Sequence, residues 1–201
     1  MKCERLLLII SLTSFFWLAT FELEAEGGSA RAELEKKGYA YSEINFIECA
    51  QKGDIEAAKM FLSEGIDINA CNKEGQSALM RASLFGNTEM VKLLLDSGAD
   101  VKIRNQETQS TALMEAVAGN RADVIRLLVQ HGADVNERDI LERTPLHVAC
   151  MWGFIEVADV LMELGAKIDA LDMNDLTPLV VAEQTGNTKM VQFLKNAGVT
   201  K

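Results

Sequence analysis

The chain has 201 residues, of which 48% are hydrophobic and 25% are charged, and its formal net charge at pH 7 is −10. This composition is typical of a folded globular domain and excludes a disordered or collagen-like chain. The acidic balance argues against a protein that binds nucleic-acid phosphates, which needs a basic face. The 2 histidines and 4 cysteines lack zinc-module spacing, so no metal and no cofactor is expected.

The N-terminal segment has the pattern of a secretory signal peptide. A short basic start precedes an uncharged apolar run over 6–21, and acidic residues follow it. We predict a signal peptide over 1–25, cut after Ala25 or Ala30, and therefore an exported protein that is periplasmic or secreted. The run is slightly shorter than the ~20 residues that span a bilayer, which favours cleavage. The alternative is an uncleaved N-terminal membrane anchor.

Glycine recurs along the rest of the chain at steps of 33 or 34 residues. Two interleaved series contain ten of the 14 glycines, which indicates a tandem repeat. The two series are Gly53, Gly86, Gly119, Gly153 and Gly186, and Gly65, Gly98, Gly132, Gly165 and Gly198.

Each repeat unit predicts two helices and a connecting finger. The first helix begins at a Ser or Thr that can cap it and ends at the first glycine, which can adopt the left-handed conformation. Apolar residues at helical spacing predict a second helix up to the second glycine. An alternating segment with a polar tip then predicts an extended finger. The capping residues are Ser77, Thr111, Thr144 and Thr177, and Pro145 and Pro178 follow two of them at the first helical position.

Two segments resemble the signatures of the ankyrin-repeat family. Residues 144–149 read TPLHVA and residues 132–136 read GADVN. The resemblance covers about 43–201 and implies an all-α ankyrin-repeat solenoid of about five helix-turn-helix repeats joined by extended hairpin fingers. It implies a structural hydrogen bond from His147 to a neighbouring turn. The residues that carry the structural motif are Thr144, Pro145, Leu146, His147, Gly153, Thr177 and Pro178.

The chain is therefore expected to divide into a leader, a linker and one repeat domain. The linker covers 26–42 and includes a short helix over 31–37 that caps the first repeat. Terminal repeats are expected to depart from the pattern, since they face water on one side. The expected repeats are about 43–74, 75–109, 110–142, 143–175 and 176–201.

The third unit departs from the common spacing. Leu113 to Gly119 spans six residues where the other units span seven, and the preceding finger is one residue longer. We therefore expect that one residue has moved from the helix into the finger, near 105–109. The change is either a tolerated insertion and deletion or a finger reshaped for a ligand.

No catalytic constellation is expected, because no nucleophile, base and orienting group converge in the sequence. His131, near the end of a second helix, is expected at the surface. Cys49 and Cys150 lie on first helices and Cys71 on a finger, so no disulfide framework is expected. An exposed Cys71 would be a free thiol or form an intermolecular bridge.

The ankyrin resemblance implies that first helices and fingers line one concave face. The two residues before each first glycine are expected in this groove, and they are apolar only in the middle units, including Val117 and Ala118. The alternative is that Phe85 and Trp152 fold onto neighbouring repeats and complete the core. Finger-tip residues Ile140 and Leu141 are also expected to be exposed. The predicted partner-binding residues are Leu84, Phe85, Ile103, Met151, Trp152, Leu171 and Met173.

An acidic rim is expected around this apolar surface, formed by Glu107, Glu137, Asp139, Glu142, Asp172 and Asp175. The combination predicts a protein partner with an apolar anchor and some basic residues. We expect a monomeric, non-catalytic protein–protein interaction module that binds through the concave face of repeats 2–4. The alternatives are a regulatory or immunity subunit that inhibits one enzyme, and a secreted effector.

Overall fold

The computed structural model describes residues 30–199, and this part of the chain contains eleven helices and no strand. The first helix, α1, covers 30–36. Five helix pairs follow, and we number the repeats 1–5 by these pairs. The pairs are α2 (Glu43–Lys52) and α3 (Ile55–Ser63), α4 (Ala78–Phe85) and α5 (Thr88–Asp96), α6 (Ala112–Ala118) and α7 (Ala122–Gln130), α8 (Pro145–Trp152) and α9 (Ile155–Glu163), and α10 (Pro178–Gln184) and α11 (Thr188–Asn196).

The expected all-α repeat architecture is confirmed, and local chemistry explains where its helices begin. The Ser77 hydroxyl oxygen accepts a hydrogen bond from the Met80 N–H at 3.3 Å, and the Thr177 hydroxyl oxygen accepts one from the Val180 N–H at 3.4 Å. Each bond satisfies an N–H that has no partner inside the helix. No helix among residues 30–199 is long and apolar enough to cross a membrane. The signal peptide predicted over 1–25 lies outside the described residues.

The core forms between repeats. Two or three residues join the helices of a pair, so the second helix must run back along the first. First helices contact the first helices of the next repeats, and second helices contact second helices in the same way. The leucines at the second position of α4, α6, α8 and α10 are buried, and so is Leu128 on α7. Burying such a side chain stabilises the fold by about 1.5–3 kcal/mol. The core-forming leucines of these first helices are Leu79, Leu113, Leu146 and Leu179.

A side chain that follows each first helix holds three of the four junctions between repeats. The Asn87 amide nitrogen donates to the carbonyl oxygens of Ala50 and Gln51, at 3.0 and 2.7 Å. Asn187 does the same between repeats 4 and 5, and Arg121 donates to the Leu84 carbonyl between repeats 2 and 3. The junction between repeats 3 and 4 has Phe154 at this position, which has no group to donate.

Four fingers connect the repeats, and we number them 1 (69–76), 2 (102–110), 3 (136–143) and 4 (169–176). An Asn or Asp side chain organises each tip by accepting main-chain N–H groups. In finger 3 the Asp139 Oδ1 accepts from Leu141 and Arg143, both at 2.9 Å. The equivalent residues are Asn72, Asn105 and Asp172. Such bonds are typical of tight turns.

Adjacent fingers are also tied to one another. The Ile140 N–H donates to the Thr108 carbonyl at 3.0 Å, and the Met173 N–H donates to the Leu141 carbonyl at 3.1 Å. The Arg138 guanidinium donates to the Leu171 carbonyl at 2.7 Å. These contacts hold fingers 2, 3 and 4 as one unit.

The N-terminal end of the stack is covered by α1 and the segment after it. Leu34 is fully buried, and the Tyr39 and Tyr41 rings pack against Phe61. The Arg31 side chain pairs with Glu64 at 2.7 Å. These contacts supply the apolar neighbours that a preceding repeat would otherwise give repeat 1.

The expected shift of one residue from helix to finger in repeat 3 is wrong. Asn120, with a φ of 58°, occupies the left-handed position that glycine holds after α2, α4 and α8. Gly119 has a φ of −79°. Leu113 to Asn120 spans seven residues, as in the other units, so the first helix keeps its register. The additional residue lies in finger 2, where the Asn105 N–H reaches the Ser110 carbonyl at 2.8 Å.

Candidate protein-binding face

The predicted apolar pairs lie at the ends of first helices, and both aromatic rings are exposed. Phe85 is 43% exposed and Trp152 is 61% exposed, while Leu84 and Met151 are half-buried. The Arg81 guanidinium lies over the Phe85 ring, 5.1 Å from its centroid, which is an attractive cation–π geometry. Neither ring completes the core in the manner of the alternative considered above.

Repeat 3 presents its smallest residues between these two aromatic walls. Val117, expected in the groove, is fully buried because Asn120 rather than Gly119 ends the helix. The pair that faces outward is therefore Ala118 and Gly119. We define the first-helix strip as the two residues before each left-handed position: Gln51–Lys52, Leu84–Phe85, Ala118–Gly119, Met151–Trp152 and Gln184–Thr185. The strip has polar ends, apolar walls in repeats 2 and 4, and a notch in repeat 3.

A carboxylate that the sequence reasoning missed lies beneath the notch. Glu115 is one helical turn before Gly119, which places both residues on the same face of α6. Its carboxylate accepts a hydrogen bond from the Ser110 hydroxyl at 3.3 Å. Burial raises the pKa of Glu115, although Ser110 and Arg81 oppose that effect. Counting back five residues from Asn120 would have located Glu115 from the sequence.

The finger-tip residues divide into two groups. Ile103 is half-buried and packs against the core, so it contributes less to the outer surface than expected. The tips of fingers 3 and 4 are exposed and apolar. We define the tip patch as Ile140, Leu141, Leu171 and Met173.

The expected acidic rim is wrong for half of its members. Glu137, Asp139 and Asp172 are buried, because each has a structural role. Asp139 pairs with Arg143 at 2.6 Å and organises finger 3, and Asp172 organises finger 4. Glu137 lies 3.6 Å from the Arg104 guanidinium. The exposed acidic residues that remain are Glu107, Glu142 and Asp175.

His147 is a buried tie between repeats 4 and 5. Its Nδ1 accepts a hydrogen bond from the Thr144 N–H at 3.1 Å, and its Nε2 lies 3.0 Å from the Leu176 carbonyl oxygen. Burial lowers the pKa of His147, while the bond to Leu176 opposes the change. The neutral ring can donate from Nε2 and accept at Nδ1, which matches both contacts. This arrangement uses both ring nitrogens for structure.

The remaining motif residues and His131 lie at the ends of helices. Pro145 and Pro178 occupy the first turn of α8 and α10, and Gly153 ends α8 in the left-handed conformation. His131 lies at the end of α7, at the surface, where its Nδ1 is 2.9 Å from the Leu127 carbonyl oxygen.

All three cysteines in the described part of the chain are free thiols. Cys49 and Cys150 are buried in first helices, and burial raises the pKa of each thiol to about 12. Such thiols are poor nucleophiles at neutral pH. Cys71 is exposed on finger 1, and burial of part of its side chain also raises its pKa.

Clefts recur on the surface between adjacent repeats. Similar clefts of about 270, 280 and 220 Å³ lie where the helix pairs of adjacent repeats turn. Within residues 30–199, no group of three or more His, Cys, Asp or Glu side chains could hold a metal ion. The first of these clefts is lined by Arg121, Asp123 and Glu156, whereas Lys189 and Glu89 are the charged residues that line the other two.

Comparison with known proteins gives the family. A family model described as ankyrin repeats (3 copies) matches residues 46–139 and 137–201. The Escherichia coli (strain K12) protein YahD, which is itself named as an ankyrin repeat protein, is 42% identical over 41 residues, or 20% of this chain. The match spans only 20% of that relative's length. Ankyrin repeats are generally protein–protein interaction modules and are typically non-catalytic. The chain belongs to the ankyrin-repeat family.

Proposed function

We propose that the protein is a non-catalytic binding protein that holds a protein partner on the first-helix strip of repeats 2–4. We infer that this strip lies on the concave face, as the ankyrin resemblance implies. The observation that supports the proposal is the exposure of Phe85 and Trp152 on either side of the Ala118–Gly119 notch. Exposed apolar clusters with tryptophan are characteristic of protein interaction sites.

The distribution of side chains along the strip favours this face over a general apolar surface. Repeats 1 and 5 present Gln51–Lys52 and Gln184–Thr185, which are polar. The apolar walls are therefore confined to repeats 2 and 4, as in an interface with an apolar centre and a polar rim. The partner would contact three successive repeats.

We also propose that the protein acts as a monomer after export to the periplasm or the cell exterior. This proposal depends on the basic start and apolar run of the leader. Cleavage after Ala25 would leave all described residues of α1 in the mature chain, whereas cleavage after Ala30 would remove the first of them. N-terminal sequencing of the mature protein from culture fractions tests the site.

The binding proposal is tested by capture from native extract of the source cells. The full chain with a C-terminal tag is expressed as wild type, as Phe85→Ala/Trp152→Ala, and as Ile44→Ala. Ile44 is 60% exposed on α2, outside the strip, and serves as the control. We expect wild type and the control to retain one partner that the double variant loses, with unchanged melting curves. Equal retention by all three proteins would contradict the proposal.

A further inference from the structure

The tip patch is a fixed surface rather than a set of loose side chains. Its four residues lie on the adjacent tips of fingers 3 and 4. The Met173 N–H donates to the Leu141 carbonyl, and Arg138 donates to both the Glu142 and the Leu171 carbonyls. A surface held in this way loses little conformational freedom when it binds.

The patch is apolar although its counterparts in other fingers are polar. Ile140 is 59% exposed and Met173 is 58% exposed. In fingers 1 and 2 the residues that follow the tip-organising Asn are Lys73 and Gln106, at the positions of Ile140 and Met173. The fold therefore does not require apolar side chains at these positions.

Exposed carboxylates lie on the two fingers that carry the patch and on the finger beside them. Glu142 and Asp175 lie on the same two tips, and Glu107 lies on finger 2 beside them. Among these three, only Glu142 has an ion pair in the described chain, with Arg138 at 3.4 Å, and both partners are exposed. Surface pairs of this kind are weak. Arg104 is directed to the Gln109 and Arg138 carbonyls and to Glu137 instead.

We propose that the tip patch docks a basic amphipathic segment of the protein partner, with apolar side chains on the patch and lysine or arginine beside Glu142 and Asp175. This inference rests on the proposed binding function and names the chemistry of the partner. The exposed carboxylates favour a basic segment over a second copy of the chain or a membrane. A second copy in symmetric contact would bring like carboxylates together, and an anionic membrane would repel the same groups.

The test uses the full chain and a 14-residue fluorescein-labelled peptide of leucine and lysine with leucines at helical spacing. Binding is followed by fluorescence anisotropy. A peptide with glutamate in place of lysine measures the role of charge. We expect the lysine peptide to bind at least about tenfold more tightly than the glutamate peptide.

Two matched pairs of variants locate the peptide. Ile140→Ser should weaken binding of the lysine peptide by about tenfold, while Ile44→Ser, at an equally exposed position, should change it by less than about twofold. Glu142→Gln/Asp175→Asn should weaken binding more than Glu89→Gln/Glu156→Gln, which changes the net charge equally on exposed second-helix positions. Melting curves for each variant must remain unchanged.

Equal effects of test and control variants would overturn the inference, since the peptide would then bind by overall charge. A dimer of the full chain that Ile140→Ser dissociates would also overturn it, because the patch would hold a second copy. If the natural partner is lost with Phe85→Ala/Trp152→Ala but is retained at full affinity by Ile140→Ser, the inference fails and the proposed function stands.

Discussion

Gly119 packs directly against the main chain of the preceding repeat, and a Cβ atom at this position would overlap the carbonyl oxygen of Leu84. The φ of Gly119 is −79°, so backbone conformation does not require glycine here. The close approach to the Leu84 carbonyl is what requires glycine at this position. The same contact that brings repeats 2 and 3 together leaves a notch between Phe85 and Trp152.

Gly119→Ala should therefore destabilise the protein by about 1–3 kcal/mol, since the added methyl group overpacks the junction. With open space around it, the same change would stabilise the protein by roughly 0.5–1 kcal/mol through a better helix propensity. Urea unfolding followed by circular dichroism measures the sign. A more stable variant would contradict the close approach.

Removing the Asn187 hydrogen bonds between repeats 4 and 5 should destabilise the protein. Asn187 donates to the Cys150 and Met151 carbonyls at 3.1 and 2.7 Å. Asn187→Ala should lower the free energy of unfolding by about 1–3 kcal/mol, because the Met151 carbonyl loses this donor and the Cys150 carbonyl keeps only the Gly153 N–H, at 3.3 Å. Asn196→Ala removes an exposed contact to Gln192 and should cost no more than about 0.5 kcal/mol. Similar losses for both variants in urea unfolding would count against the tie.

Leu128→Ala tests the apolar register of the second helices. Leu128 is fully buried on α7, and its removal should cost about 2–5 kcal/mol in denaturant melts. Leu127, its half-buried neighbour, offers a matched control, and Leu127→Ala should cost less. A loss below about 1 kcal/mol at Leu128 would contradict the placement of this helix face.

His147 should make stability depend on pH. Burial lowers its folded-state pKa from the ordinary 6.5, so the unfolded chain takes up a proton first as pH falls. Its contribution to stability is therefore present above the ordinary pKa of about 6.5 and is lost progressively as pH falls below that value. Burial raises the pKa of Glu115 and Glu137, whose contributions change in the opposite direction.

The His147 contribution is isolated by comparison with His147→Gln. The difference in free energy of unfolding between wild type and this variant should shrink from pH 7.5 to pH 5. Urea melts at several pH values measure it. A difference that stays constant or grows toward low pH would show that His147 is not held neutral.

The sequence predicts the architecture well because the boundaries of the first helices carry chemical signals. Thr177 followed by Pro178 fixes the start of α10, and Gly86 fixes the end of α4. The prediction of the helix end failed in repeat 3, where two neighbouring residues could both adopt the left-handed conformation. The glycine spacing predicts that Gly119 ends the first helix of repeat 3, but Asn120 tolerates the left-handed conformation and takes that position.

The candidate site was less predictable, because exposure depends on what a side chain contacts in space. Asp139 and Asp172 looked like free surface charges, yet their carboxylates accept main-chain N–H groups inside their own fingers. The sequence allows Phe85 and Trp152 either to complete the core or to face outward, and the structure exposes both rings. The composition of a finger does not reveal which of its polar groups are already satisfied.

The most direct test of partner binding on the first-helix strip is a photo-crosslinking experiment in the cells that produce the protein. A photoreactive side chain is placed at Ala118, between the two aromatic walls, or at Lys92, an exposed position on α5. Binding on the first-helix strip predicts that illumination joins one partner protein to the chain at position 118 and not at position 92. Adducts at position 92 alone, or the same adduct at both positions, would contradict binding on the first-helix strip.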